Sequence, residues 1–104
     1  MSESNALLTD MNSVLLEGRA ELLTWQDDQP AIRWSLRSVT EGGSIAVTCH
    51  ATGRLASAVR EAIAEYPGRR SGRGRALRVC GRIDLIGGSL GILAEHVEMK
   101  PVAR

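Results

Sequence analysis

The feature that most constrains this 104-residue chain is one change of period in its apolar pattern. Up to Thr52, and again after Arg75, apolar residues alternate with polar ones, so each segment offers one face to a core and one to water. Between Arg54 and Tyr66 the repeat lengthens: Leu55, Val59 and Ile63 recur every four residues among Ala56, Ala58, Ala62 and Ala64, with Arg60, Glu61 and Glu65 on the opposite side. That is an amphipathic helix, and Tyr66-Pro67-Gly68 stops it. Three strand-like segments precede it and two follow.

Val14-Leu15-Leu16 with Glu17-Gly18 reads as a first strand carrying a glycine bulge or bend and running to about Leu23. Trp25 to Pro30 is turn chemistry. Ile32, Trp34 and Leu36 then alternate with Arg33, Ser35 and Arg37, which places Trp34 in the core and the arginines on a wet face. Glu41-Gly42-Gly43-Ser44 is a short connection. The third strand sets Ile45, Val47, Cys49 and Ala51 against Ala46, Thr48, His50 and Thr52. After a basic loop from Gly68 to Arg75, Leu77, Val79, Ile83 and Leu85 form the expected inner face of a long strand bent at Gly81. Ile86 to Gly91 is a hairpin connection, and a last strand runs from Ile92 to about Met99. Five strands with one helix after the third predict a mainly β, five-stranded OB-fold barrel with one α-helix between strands 3 and 4.

The length leaves room for one domain, which buries about two-thirds of the unfolded chain's surface. Residues 11–101 are the expected domain, after a polar leader over 1–10 and before a short C-terminal end over 102–104. An apolar fraction of 43% and a charged fraction of 24% are those of an ordinary folded domain. No apolar run approaches the roughly 18 residues of a membrane span. The opening Met1-Ser2-Glu3-Ser4-Asn5 lacks the basic and apolar regions of a signal peptide, so a cytoplasmic protein is expected.

Several chemistries find no support. Cys49, His50, Cys80 and His96 are zinc-ligand types, but the adjacent Cys49 and His50 point to opposite strand faces, and the expectation is no metal and two buried free thiols. No cofactor is expected. No paired carboxylates or nucleophile-base arrangement stands out, and Gly87-Gly88-Ser89-Leu90-Gly91 lacks the lysine and following helix of a phosphate loop. An enzyme is not expected.

The formal net charge of +1 hides an asymmetry. Residues 1–31 hold one base against six acids, a net of −5, whereas residues 54–82 hold eight arginines against Glu61 and Glu65, a net of +6. Either the two halves neutralise each other in the fold or one side attracts a polyanion.

Five segments, in order, resemble the bacterial single-stranded DNA-binding protein family. Met11-Asn12-Ser13-Val14-Leu15-Leu16-Glu17-Gly18-Arg19 is similar to its opening strand. Ile32-Arg33-Trp34-Ser35-Leu36 sits where the family has an aromatic or aliphatic core residue followed by Ser/Thr-Leu. Gly53-Arg54-Leu55-Ala56 resembles its entry into the helix, Val79-Cys80-Gly81-Arg82-Ile83 its fourth strand, and Ala94-Glu95-His96-Val97-Glu98-Met99 its closing strand.

The resemblance implies binding of single-stranded DNA with little sequence preference, in replication, recombination or repair, by a homo-oligomer, usually a tetramer and here alternatively a dimer. Such binding needs a basic groove and rings on which bases stack. The chain departs from the pattern there. The third strand's two stacking aromatics fall on Ala46 and Thr52, the wrapping loops shrink to about Glu41–Ser44 and Ile86–Gly91, and the family's acidic tail has no counterpart in Lys100-Pro101-Val102-Ala103-Arg104.

With aromatics at 3%, charge must carry more of the contact. The candidate nucleic-acid-binding residues are Arg33, Arg37, Thr48 and His50 on the face the family uses, Arg54 at its edge, and Arg69, Arg70, Arg73 and Arg75 in the basic loop. Trp25 is the remaining ring, in the first loop, either a stacking platform or a lid over the barrel end. The alternative function is an OB-fold assembly or interaction subunit that has lost most DNA contact.

Overall fold

A computed structural model describes residues 12–66 and 74–100. The period-two segments form five strands: β1 (Val14–Gln26), β2 (Ala31–Thr40), β3 (Gly43–Thr52), β4 (Arg75–Ile86) and β5 (Ser89–Met99), with one helix, α1 (Gly53–Glu65), between β3 and β4. They close into a barrel in the order β1-β2-β3-β5-β4. All neighbours are antiparallel except β3 and β5, whose parallel ladder matches Thr48, Cys49 and His50 with Gly91, Ile92 and Leu93.

That closure is tight at Gly91, where an added Cβ would lie 2.5 Å from the Thr48 carbonyl oxygen and 2.8 Å from the Ile86 side chain. Only a residue without a side chain lets the two strands approach this closely. The alternating inner faces meet inside: Trp34, Ile32, Leu36, Leu77, Val79 and Ile92 are fully buried. Ala56, Val59 and Ile63 bring the apolar stripe of α1 against that core. The helix touches β1, β2, β3 and β5, so it plugs one end of the barrel. Among the described residues no helix is long and apolar enough to cross a membrane.

Several details differ from the sequence reading. β1 continues through Trp25 and Gln26, which therefore belong to a strand and not to a loop. Its bulge falls between Leu22 and Thr24, not at Gly18, where an added side chain would meet the Arg37 backbone carbonyl of β2. The connections are shorter than expected: only Glu41-Gly42 joins β2 to β3, and only Gly87-Gly88 joins β4 to β5. Both of the latter glycines have positive φ, 61° and 86°, as a two-residue hairpin of mirror-image type requires.

Beyond Gly81, β4 leaves the barrel wall, because its β1 ladder ends at the Val14 to Gly81 match. Ile83 and Leu85 consequently face solvent although the alternation assigned them to the core, and Ile86, assigned to the turn, is buried instead. The Asn12 side chain covers the first open position, its amide nitrogen donating to the Ile83 carbonyl at 3.1 Å and its oxygen accepting from the Ile83 N–H at 3.0 Å. Cys80 is also exposed rather than buried, since it stands on the outer face between Leu15 and His96. Cys49 is buried as expected, and burial pushes its thiol up to about 12.

Candidate nucleic-acid interface

The parity of β2 and β3 decides which side chains share their outer face. Arg33 is matched with His50, Ser35 with Thr48 and Arg37 with Ala46. β1 extends each row: Thr24 lies beside Arg33, Glu21 beside Ser35 and Arg19 beside Arg37. The result is a three-strand surface with cations at both ends and hydroxyls in the middle. Four candidates from the sequence, Arg33, Arg37, Thr48 and His50, are thus brought together. Ala46 and Thr52 are both exposed on the same face, so a small surface stands where stacking rings would project. Arg54, in the first turn of α1, is exposed where β3 hands over to the helix; the Gly53 N–H donates to the Pro30 carbonyl at 2.8 Å and fixes that junction to the end of the β1–β2 hairpin.

At that hairpin end lies a shallow hollow of about 390 Å³ lined by Thr24, Trp25, Gln26, Ala31, Ile32, Arg33 and His50. Trp25 reaches it as a consequence of the β1 bulge. Simple alternation would group Trp25 with Arg19 and Glu21 on the outer face; the extra residue at Leu22–Thr24 reverses the parity, and Trp25 packs half-buried against the core opposite Ile32. Its Nε1–H donates to Asp27 Oδ1 at 2.5 Å, and the Arg60 guanidinium lies 4.8 Å from its ring centroid. One ring face is therefore covered by a cation from α1.

His50 sits in this hollow with its Nδ1 buried and unpartnered. Burial first, and then the nearby positive charge of Arg33, hold its pKa below the ordinary imidazole value. It is therefore harder to protonate than an ordinary imidazole.

The charges are sorted by face. On the β1–β4–β5 side, Glu17 binds Arg78 at 2.5 Å and Lys100 at 3.0 Å, Arg78 also reaches Glu98 at 3.6 Å, and Arg82 pairs with Glu95 at 3.7 Å. The Lys100 and Arg78 hydrogen bonds pull the Glu17 carboxyl below its usual range. Among the described residues, Arg33, Arg37 and Arg54 make no ion pair. Of these pairs only Glu17–Arg78 joins the acidic and basic halves, so among the described residues they neutralise each other at that one point, and the β2–β3 arginines are left without carboxylate partners.

Arg75 is the loop arginine within the described residues; it opens β4, donates from Nη2 to the Lys100 carbonyl at 2.9 Å and stands over the Tyr66 ring at 5.8 Å. Arg69, Arg70 and Arg73 lie outside the described residues. Among the described residues no three His, Cys, Asp or Glu side chains converge as metal ligands would. Arg19 and Ser35 complete the face but do not stand out in the sequence: β1 parity could place Arg19 outward, yet only the β1–β2 register puts it beside Arg37.

A closed five-strand barrel with its helix between β3 and β4 and an open face across β1, β2 and β3 defines an OB-fold protein. No protein-family model matches the sequence, and no curated protein matches it. Solved structures do resemble the barrel. A deletion mutant of the single-stranded DNA-binding protein from Thermus aquaticus superposes with a TM-score of 0.67 at 20% identity, over 90% of this chain and 43% of that one. PriB from Ralstonia solanacearum gives 0.62 at 13% identity, over 86% of this chain and 97% of that one. A small single-stranded DNA-binding protein from Mycoplasma pneumoniae gives 0.58 at 15% identity, over 90% and 98%. This chain thus spans less than half of the Thermus aquaticus chain and nearly all of the other two. The likeness establishes the shared fold.

Proposed function

We propose that this protein binds single-stranded DNA with little sequence preference, through the outer face of β2 and β3. The observation that carries the reading is the distribution of ion pairs: Arg78 and Arg82 of β4 are occupied by carboxylates, whereas among the described residues Arg33, Arg37 and Arg54 pair with none. Unpaired guanidiniums on a strand face can grip phosphates bidentately without reading bases. Thr48 and His50 add hydrogen-bonding groups between them, and Arg69, Arg70, Arg73 and Arg75 would lengthen the basic track. Trp25 acts mainly as the lid of the barrel end, since Arg60 already occupies one ring face. The structural neighbours include single-stranded DNA-binding proteins, which agrees with this reading.

In this proposal the protein acts in the cytoplasm as an accessory of replication, recombination or repair, as a homo-oligomer, and without catalysis. A second reading, an OB-fold assembly subunit with little DNA contact, is favoured by one feature: Leu85 and Leu90, matched across the β4–β5 hairpin, are 66% and 72% exposed. Titration at low salt with oligo-dT and with a duplex of equal length separates the two. Tight binding of the single strand and weaker binding of the duplex supports the first reading. No response to either contradicts it and leaves the second.

A further inference from the structure

A second basic site adjoins the strand-binding face at its Arg19–Arg37 end, between β1, β2 and the end of α1. Arg19 and Arg37 are direct cross-strand partners. Like charges directly opposite each other on neighbouring strands destabilise a sheet, and among the described residues neither arginine has an ion pair. Beside them opens a cavity of about 520 Å³, within the size range of small-molecule sites. Its third cation is Arg75, and its walls include Ile63 and Tyr66 from the end of α1. Glu21 is the carboxylate on the lining, and it pairs with none of the three.

The guanidiniums are positioned, not loose. Arg19 Nη1 donates to the Gly74 carbonyl at 3.0 Å, and Arg75 Nη2 to the Lys100 carbonyl at 2.9 Å. Arg75 Nε is buried without a partner. Two forks anchored by backbone carbonyls, with donors left over, meet a third fork across a cavity that has an aromatic and aliphatic wall. An anion with several oxygens would relieve the Arg19–Arg37 repulsion and satisfy the spare donors. A sugar or base attached to it would lie against Tyr66 and Ile63.

We propose that this cavity binds the phosphate of a nucleotide, held between Arg19, Arg37 and Arg75. The site shares Arg19 and Arg37 with the strand-binding face but stands without the strand-binding function. The natural phosphate is either a free nucleotide or the terminal phosphate of a nucleic-acid strand.

The test follows the arginine side-chain Nε–Hε NMR signals of the full chain during titration with dTMP, inorganic phosphate and thymidine. The signals of Arg19 and Arg75 should shift saturably with dTMP and with phosphate, and stay still with thymidine. Arg19→Gln should weaken dTMP binding about tenfold, the loss of one charge-assisted contact, and Arg19→Lys should recover part of it. Thermal unfolding of each variant confirms that it is folded, and added phosphate should raise the midpoint of the wild type more than that of Arg19→Gln. Displacement of dTMP by 5′-phosphorylated but not 5′-hydroxyl oligo-dT assigns the phosphate to a strand end; no displacement by either assigns it to a free nucleotide, and both support the site. Absence of saturable shifts at millimolar dTMP, or equal binding by wild type and Arg19→Gln, overturns it. Binding of 5′-hydroxyl oligo-dT to the wild type, measured separately, decides the strand-binding reading.

Discussion

Arg33 on β2 stands directly opposite His50 on β3, and the pair couples the proposed interface to pH. Burial and the Arg33 charge keep the His50 pKa below the ordinary 6.5. The unfolded chain therefore takes up this proton at a higher pH than the folded one, and the folded state loses stability as pH falls from about 6.5 toward the lower folded value. A series of thermal unfolding curves between about pH 8 and pH 5 should show that decline, and His50→Gln should reduce it. An identical pH dependence in the variant would mean that His50 does not titrate abnormally.

The barrel closes through Gly91, and its substitution should be costly. Gly91→Ala puts a methyl group 2.5 Å from the Thr48 carbonyl oxygen, so the β3–β5 ladder must open. The expected loss is about 1–3 kcal/mol. Gly42→Ala, with its nearest neighbour 3.9 Å away at Thr40 Oγ1, should stay within about 0.5 kcal/mol of the wild type. Denaturant unfolding of the two variants checks the contrast.

The two thiols should separate by reactivity. Cys80 is exposed, whereas Cys49 is buried with a pKa pushed up to about 12. Because the thiolate is the reactive form, an aromatic disulfide reagent at neutral pH should titrate one thiol in the native protein and the second only in denaturant. Prompt reaction of both in the native state would contradict the burial of Cys49.

Leu23 is the extra residue of the β1 bulge. On either side of it the β1–β2 ladder is regular, with Leu22 matched to Trp34 and Thr24 to Arg33. Deleting Leu23 should therefore fuse the two halves into one unbroken ladder and leave Trp25 opposite Ile32, still packed inward beneath Arg60. The emission maximum of the tryptophans should not move, and unfolding should remain cooperative. A red-shifted maximum would show that Trp25 had turned outward.

What the sequence discloses, and what it withholds, follows from the range of the interactions. The order of strands and helix is legible because each segment repeats its own period, and Trp34 and the Arg33–Arg37 parity follow from it. The outer face of β2 and β3 is legible for the same reason. Trp25 is not, because one bulge reverses parity and nothing local in Leu22-Leu23-Thr24 announces it. Ile83 and Leu85 obey the alternation but lie where β4 has passed the end of its β1 ladder, so no β1 side chains cover them. The pairing of Glu17 with Arg78 and Lys100 joins residues 61 and 83 positions apart, and the Arg19–Arg37 juxtaposition depends on register; neither leaves a local trace.

The most direct test of strand binding by the β2–β3 face is the salt dependence of oligo-dT affinity. With Arg33, Arg37 and Arg54 each meeting one phosphate, the logarithm of the binding constant should fall with the logarithm of salt with a slope of about −2 or steeper, the loop arginines adding to it. In the Arg33→Gln, Arg37→Gln double variant the slope should become shallower by about 1.4, with affinity reduced at low salt. A wild-type affinity insensitive to salt, or a double variant with the wild-type slope, would contradict the account.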